Sequence, residues 1–322
     1  MHIFITGGSG FIGQALIKHL IARGHQVSAL SRSQQSDAVL ISLGTAPIRG
    51  DLENAATLHT CLLGIDTVVH AAAPVSFWGE RSWFHQQIVD ASETLAKAAI
   101  KAGVKRFIYL SSEATLQNKA PLIDIDEQAP YPEQNNSIYG EAKRLAEQCL
   151  LSMQSEIDML VLRPSFVWGN NSPNLNKIIA KAKAGEFFWM GDAEQAFEAV
   201  HIGNLVNAIN CSLHAGHTGE VYFITDNKPY TVKSFFEPIF KRHQITRRIR
   251  HLPTSIGTMA ATMVEKIWHI LHLKSTPPLL RFEVAFLTQS RRYRIDKAIT
   301  ELGYQPDDPK NFLTPSMTLN TL

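Results

Sequence analysis

Apolar residues in the first half of the chain follow two alternating rhythms. Short, nearly continuous apolar runs lie at 2–6, 26–30, 47–49, 66–70, 106–111 and 158–163. Runs such as Thr67-Val68-Val69 and Phe107-Ile108-Tyr109-Leu110 show no polar alternation, as expected of strands covered on both faces. Between them, 11–23, 34–43, 54–63, 81–102 and 137–155 repeat apolar residues at helical spacing. Strands separated by helices imply right-handed crossovers. The spacing therefore predicts an α/β fold, a doubly wound parallel sheet of the Rossmann type. After about Arg163 the rhythm loosens at Pro164, Gly169-Asn170-Asn171-Ser172-Pro173, Gly185 and Gly191, and one further strand is expected at 221–225. The predicted division is a dinucleotide-binding part, 1–168 with about 195–225. A smaller, mostly helical substrate lobe takes about 169–194 and 226–322.

Composition adds limits. The chain has 322 residues, 45% hydrophobic and 19% charged, which suits a sizeable core and excludes a disordered or disulfide-built molecule. Cys61, Cys149 and Cys211 are widely spaced, so neither a disulfide framework nor a metal site is expected, and a cytoplasmic setting follows. No signal peptide and no run long enough to span a bilayer is apparent. The net charge of +2 conceals an asymmetry: residues 241–300 hold twelve Lys/Arg against three acids, a net +9, leaving −7 elsewhere.

The chemistry sits at predicted strand ends. Thr6-Gly7-Gly8-Ser9-Gly10-Phe11-Ile12-Gly13 joins the first strand to the first helix. Gly7 permits the turn, Gly10 lets the backbone approach a pyrophosphate, and Gly13 allows close packing of helix on strand. The helix opening at Phe11 and Ile12 presents free N–H groups to phosphate. The second strand ends in Ser31-Arg32, where an NAD site commonly carries an acid; a guanidinium without that acid favours the 2′-phosphate of NADP over NAD. Tyr139 and Lys143 stand one helical turn apart, on one face. An ammonium beside a phenol stabilises the phenolate, and moving a tyrosine from about 10 to about 7 takes roughly 4 kcal/mol. Ser111-Ser112 ends the fifth strand and offers a hydroxyl to a reacting oxygen.

With Gly50-Asp51-Leu52, Val69-His70-Ala71-Ala72, Arg163-Pro164, Val200-His201-Ile202 and Leu302-Gly303-Tyr304, these motifs resemble the extended short-chain dehydrogenase/reductase superfamily, the NAD-dependent epimerase/dehydratase family, over nearly the whole chain. The likeness is greatest to the 3β-hydroxysteroid dehydrogenase-like branch, which includes bacterial reductases of long-chain keto compounds. It implies an NAD(P)-dependent oxidoreductase that interconverts a secondary alcohol and a ketone. By the same resemblance Tyr139 is the acid/base, Lys143 holds the nicotinamide ribose and Ser112 orients the substrate oxygen. Asp51 would accept from the adenine amino group with Leu52 beside it, Ala71 and Ala72 would line the cofactor, and Pro164 would begin the segment beside the nicotinamide. Trp168, Asn204 and Glu113 depart from the family pattern.

Other readings stay open. The same Tyr/Lys/Ser set serves a nucleotide-sugar epimerase or dehydratase that retains its cofactor, and a non-catalytic NADP-binding regulator would need only the glycine loop. Asp51 could instead cap the helix near Asn54. His70 and His201 read as structural, without companions at metal spacing. Phe77, Trp78, Trp83 and Phe84 could line an apolar substrate or belong to the core. Val264, Ile267, Trp268 and Leu271 form one face of an amphipathic helix, read first as core packing or a lid and second as a surface helix on lipid. The partners expected are a small-molecule substrate, apolar with an anionic group, and no nucleic acid. Peripheral membrane contact and a homodimer stay open.

Overall fold

In the computed structural model, which describes residues 1–74, 76–273 and 275–309, seven parallel strands form the central sheet. They are β1 His2–Thr6, β2 Gln26–Ser31, β3 Ala46–Arg49, β4 Thr67–His70, β5 Arg106–Leu110, β6 Asp158–Pro164 and β7 Glu220–Ile224. Their order is β7-β6-β5-β4-β1-β2-β3, with every neighbour parallel. The order reverses between β1 and β4, the switch point where such sheets bind ligands outside the carboxyl ends of their strands.

The strands are apolar throughout because alternate residues feed two cores. Ile3, Ile5, Ile108, Leu110, Leu160 and Leu162 join one apolar cluster, and Phe4, Phe107, Tyr109, Met159 and Val161 join the cluster on the other face. Helices α1 Phe11–Ala22, α2 Gln34–Ser42 and α3 Ala55–Cys61 follow the first three strands. The predicted helix 81–102 is an α-helical turn Arg81–Phe84, a π-helical stretch His85–Asp90 and α4 Ala91–Lys101. Helix α5 Ile138–Leu151 starts at Ser137, whose hydroxyl accepts from the Gly140 N–H at 3.0 Å, a cap of about 1 kcal/mol.

A third cluster, rich in phenylalanine, gathers Phe166, Phe187, Phe197, Phe235, Phe236 and Phe240. It draws on helices α6 Pro173–Ala184, α8 Val232–Arg242, α9 Thr254–Ile270 and α10 Arg281–Thr288, while α7 Ile202–Ser212 and α11 Asp296–Leu302 pack toward the sheet. Among the described residues, four short strand pairs lie outside the central sheet at positions the spacing does not locate, among them Leu122–Ile125 with Arg291–Tyr293. Among the described residues, no helix is long and apolar enough to cross a membrane.

The apolar face expected on α9, as core packing or a lid, is split. Val264 and Trp268 are half-buried, while Met263, Ile267, Ile270 and Leu271 are exposed. The buried positions are Gly257, Ala261 and Glu265, of which the two small residues bring the helix close to its neighbours on one side.

Candidate active site

The glycine loop has the backbone the spacing demands. Gly7 adopts φ +72°, and a Cβ there would lie 2.9 Å from the Ala72 nitrogen. A Cβ on Gly13 would overlap the Gly7 carbonyl. The Thr6 hydroxyl ties the loop to β4, accepting from the Ala72 N–H at 3.2 Å and meeting His70 Nδ1 at 2.6 Å. His70 Nε2 meets the Ser92 hydroxyl at 2.9 Å, and burial lowers this imidazole to about 3. It is a neutral strut between the sheet and the helix beyond it.

Helix α1 opens at Gly10 with no side-chain cap and no acid in its first turn, whereas α2, α3 and α5 are capped by Ser33, Asn54 and Ser137. Its first N–H groups, at half-buried Phe11 and Ile12, are left for an anion. The protein's own backbone thus fits a dinucleotide pyrophosphate. Arg32 is exposed at the end of β2, and buried Ser31 donates its hydroxyl to the Ser33 carbonyl at 3.2 Å. Asp51 is exposed and accepts from the Glu53 N–H at 3.1 Å. Asn54, not Asp51, caps α3, because its carbonyl oxygen reaches the Thr57 N–H. Leu52 is half-buried against the second cluster, Ala71 and Ala72 follow β4, and Pro164 closes β6, buried beside Ile224 of β7.

Lys143 and Ser112 meet the carboxyl end of β5, and α5 brings Tyr139 to the same end. Lys143 is buried; its Nζ donates to the Leu110 carbonyl at 2.8 Å and lies 4.5 Å from the centre of the Tyr109 ring. The Ser112 hydroxyl accepts from the Ala114 N–H at 3.2 Å, keeping its own proton to donate, and it interacts with the Tyr139 hydroxyl. Gly140 makes this approach possible, since a Cβ there would stand 2.5 Å from the Ala114 carbonyl oxygen.

The electrostatics differ from expectation. Burial pushes the Tyr139 phenol up to about 12, with Ser112 pulling it back. Burial also brings the Lys143 ammonium down to about 7, against the Glu147 carboxylate, which holds it up. The lowering of Tyr139 toward 7 is therefore not what the protein's own groups produce: desolvation dominates, and only Ser112 opposes it.

A glycine loop whose backbone fits a pyrophosphate, a Ser/Tyr/Lys cluster at the carboxyl end of β5 and a seven-stranded Rossmann sheet narrow the family sharply. The model of the NAD dependent epimerase/dehydratase family matches residues 3–225. The chain belongs to that family. It is 33% identical over 94% of its length, and 92% of the relative's, to a 4-hydroxy-2-methyl-3-oxo-4-farnesyl-3,4-dihydroquinoline-1-oxide ketoreductase of Stigmatella aurantiaca. It is 29% identical to a decarboxylating sterol-4-alpha-carboxylate 3-dehydrogenase of Dictyostelium discoideum, over 94% of this chain and 95% of that one. The crystal structure of gox2253 superposes with a TM-score of 0.79 at 25% identity, covering 96% of this chain and 95% of that chain. The protein is an NAD(P)-dependent oxidoreductase, and a 3-beta-hydroxysteroid dehydrogenase of Mycolicibacterium neoaurum is 29% identical over 94% of this chain and 87% of that one.

In this epimerase/dehydratase-family chain, several residues that sequence reasoning missed or left unassigned complete the site. Glu147, fully buried, accepts from the Ser111 hydroxyl at 2.5 Å and the Tyr131 hydroxyl at 2.7 Å, and forms a two-pronged ion pair with buried Arg163 of β6. Its position, one turn beyond Lys143 on the same face, was a signal that could have found it. Glu113, unassigned from sequence, faces away from the reacting group toward buried Arg291 and Tyr293. Trp168 and Asn204, two departures from the family pattern, both donate to buried Asp226, at 2.9 and 2.7 Å. His201 caps α7, accepting from the Gly203 N–H at 3.1 Å.

The four aromatic candidates separate. Phe77 meets the Tyr139 ring edge-on at 5.5 Å and stacks on Phe282 of α10 at 3.9 Å. Trp78 packs on His269 of α9 at 4.6 Å. Phe84 is core, and Trp83 is 42% exposed beside it. Phe282 carried no local signal, because its role arises only when α10 folds back over the sheet.

Proposed function

We propose that the protein interconverts an apolar ketone and its secondary alcohol, with Tyr139 as acid/base. The observation that carries this reading is the aromatic wall against Tyr139, where Phe77 meets its ring edge-on and stacks on Phe282. A site for a nucleotide sugar would call for hydrogen-bonding groups where these rings lie.

Gly7, Gly10, Phe11, Ile12, Gly13, Arg32, Asp51, Leu52, Ala71, Ala72, Lys143 and Pro164 would hold the dinucleotide, with NADP preferred. Residues 1–168 and about 195–225 are assigned to it, the rest to substrate. Bound there, the nicotinamide supplies or accepts the hydride. Ser112 donates a hydrogen bond to the substrate oxygen. Tyr139 gives its proton to that oxygen as alkoxide charge grows, or withdraws it in oxidation. Lys143, held by the Leu110 carbonyl, places positive charge beneath the phenol. These groups act by orientation and by stabilising charge that develops only in the transition state. One relative is named for a farnesylated dihydroquinoline oxide and another for a sterol carboxylate, ring compounds with large hydrocarbon parts, which supports the same substrate class.

An absorbance screen of nicotinamide oxidation tests the reading. Ketosteroids and long-chain β-keto compounds are expected to consume reduced cofactor. Turnover of nucleotide sugars without net cofactor change would replace this reading with epimerisation. Arg32→Ala is expected to weaken NADPH binding roughly tenfold or more, the worth of a charge-assisted hydrogen bond, while sparing NADH. Equal losses for the two cofactors would remove Arg32 from the phosphate site.

A further inference from the structure

We propose that the outer face of α9 docks on an anionic lipid bilayer. Ile256, Met259, Met263, Ile267, Ile270 and Leu271 are 46%, 61%, 58%, 42%, 73% and 60% exposed. Their spacing places them in one stripe along the helix, opposite the buried Gly257, Ala261 and Glu265. Scattered exposed apolar residues are ordinary in proteins; a continuous stripe of this length marks a contact surface.

Charge selects the occupant. Between Lys241 and Ser290 the only acids are Glu265 and Glu283. Glu265 accepts from the Arg281 guanidinium at 2.6 Å and Glu283 from Lys181 at 2.8 Å. Lys266 is exposed at the edge of the stripe, and Arg247, Arg248 and Arg250 are exposed in the segment leading into α9. An apolar face whose own segment, 241–290, is rich in cations and has both of its carboxylates ion-paired matches the headgroup region of an anionic membrane. A second copy suits it poorly, since a two-fold contact sets the same patch against itself and brings the positive borders together.

Helix α9 borders the active site through another face, where His269 packs against Trp78, next to Phe77 beside Tyr139.

Co-sedimentation with vesicles of phosphatidylcholine containing about 30 mol% phosphatidylglycerol tests the proposal. The full chain is expected to sediment with them at least about tenfold better than with phosphatidylcholine alone, and to be released by about 0.5 M sodium chloride. Met263→Asp with Ile267→Asp should abolish sedimentation while preserving the circular dichroism spectrum, both residues being exposed. Lys266→Gln should weaken it about fivefold. Failure of the wild-type chain to sediment, equal binding to neutral vesicles, or undiminished binding by the double variant would overturn the proposal. So would a solution dimer, seen by sedimentation velocity, that the double substitution dissociates, since it would assign the stripe to a second copy.

Discussion

Tyr139→Phe is expected to reduce turnover about a thousandfold, within the range for loss of a positioned general acid, and to leave cofactor affinity nearly unchanged. The phenyl ring keeps its edge-on contact with Phe77, so only the hydroxyl and its link to Ser112 are lost. The pH dependence has a definite sign. The phenol of Tyr139 is held up to about 12 by burial, so at neutral pH it is protonated and ready to donate. Ketone reduction should not respond to Tyr139 ionisation across the neutral range. Alcohol oxidation needs the phenolate and should rise about tenfold per pH unit below that value. Steady-state kinetics in both directions, with cofactor titration of the variant, check this. Turnover near the wild-type level would remove Tyr139 from the chemistry.

The second large effect is expected at Glu147. Glu147→Gln can keep contacts to Ser111 and Tyr131 but leaves the Arg163 guanidinium buried without its carboxylate. Removing one partner of such a pair costs about 3–5 kcal/mol. Denaturant titration should show this loss. Replacing both partners, as in Glu147→Met with Arg163→Met, should recover much of it, because two buried charges disappear together. A stability loss under about 1 kcal/mol in the single variant would contradict the pair's structural role. Glu147 also holds the Lys143 ammonium up against desolvation. Its loss lowers Lys143 further, so any step that needs the charged lysine should fail at lower pH than in the wild type.

The legible parts of the molecule are those set by local pattern. Every strand of the central sheet lies within a residue of its expected place, because burial on both faces makes each an apolar run. The glycine loop and the Ser112, Tyr139, Lys143 set were readable because the chemistry restricts residue type at fixed spacing. The strand pair Leu122–Ile125 with Arg291–Tyr293 was not readable: its partners are joined only by long-range packing, and three or four residues carry no period. Helix α9 shows a subtler limit. Periodicity revealed an apolar face, but the neighbours packed against Gly257 and Ala261 decided that Val264 and Trp268 are half-buried while Ile267 and Leu271 stay exposed. Phe77 and Phe84 look alike in sequence. One stacks on Phe282 over Tyr139 while the other fills the core, a difference made by the backbone between them.

The most direct test of the central claim follows hydride and product together. With reduced nicotinamide cofactor deuterated at the transferring position and an apolar ketone, mass spectrometry should find one deuterium on the carbinol carbon of the product. One equivalent of oxidised cofactor should appear with it, and both signals should vanish in Tyr139→Phe. Cofactor recovered unchanged beside an epimerised or dehydrated nucleotide sugar would contradict the account.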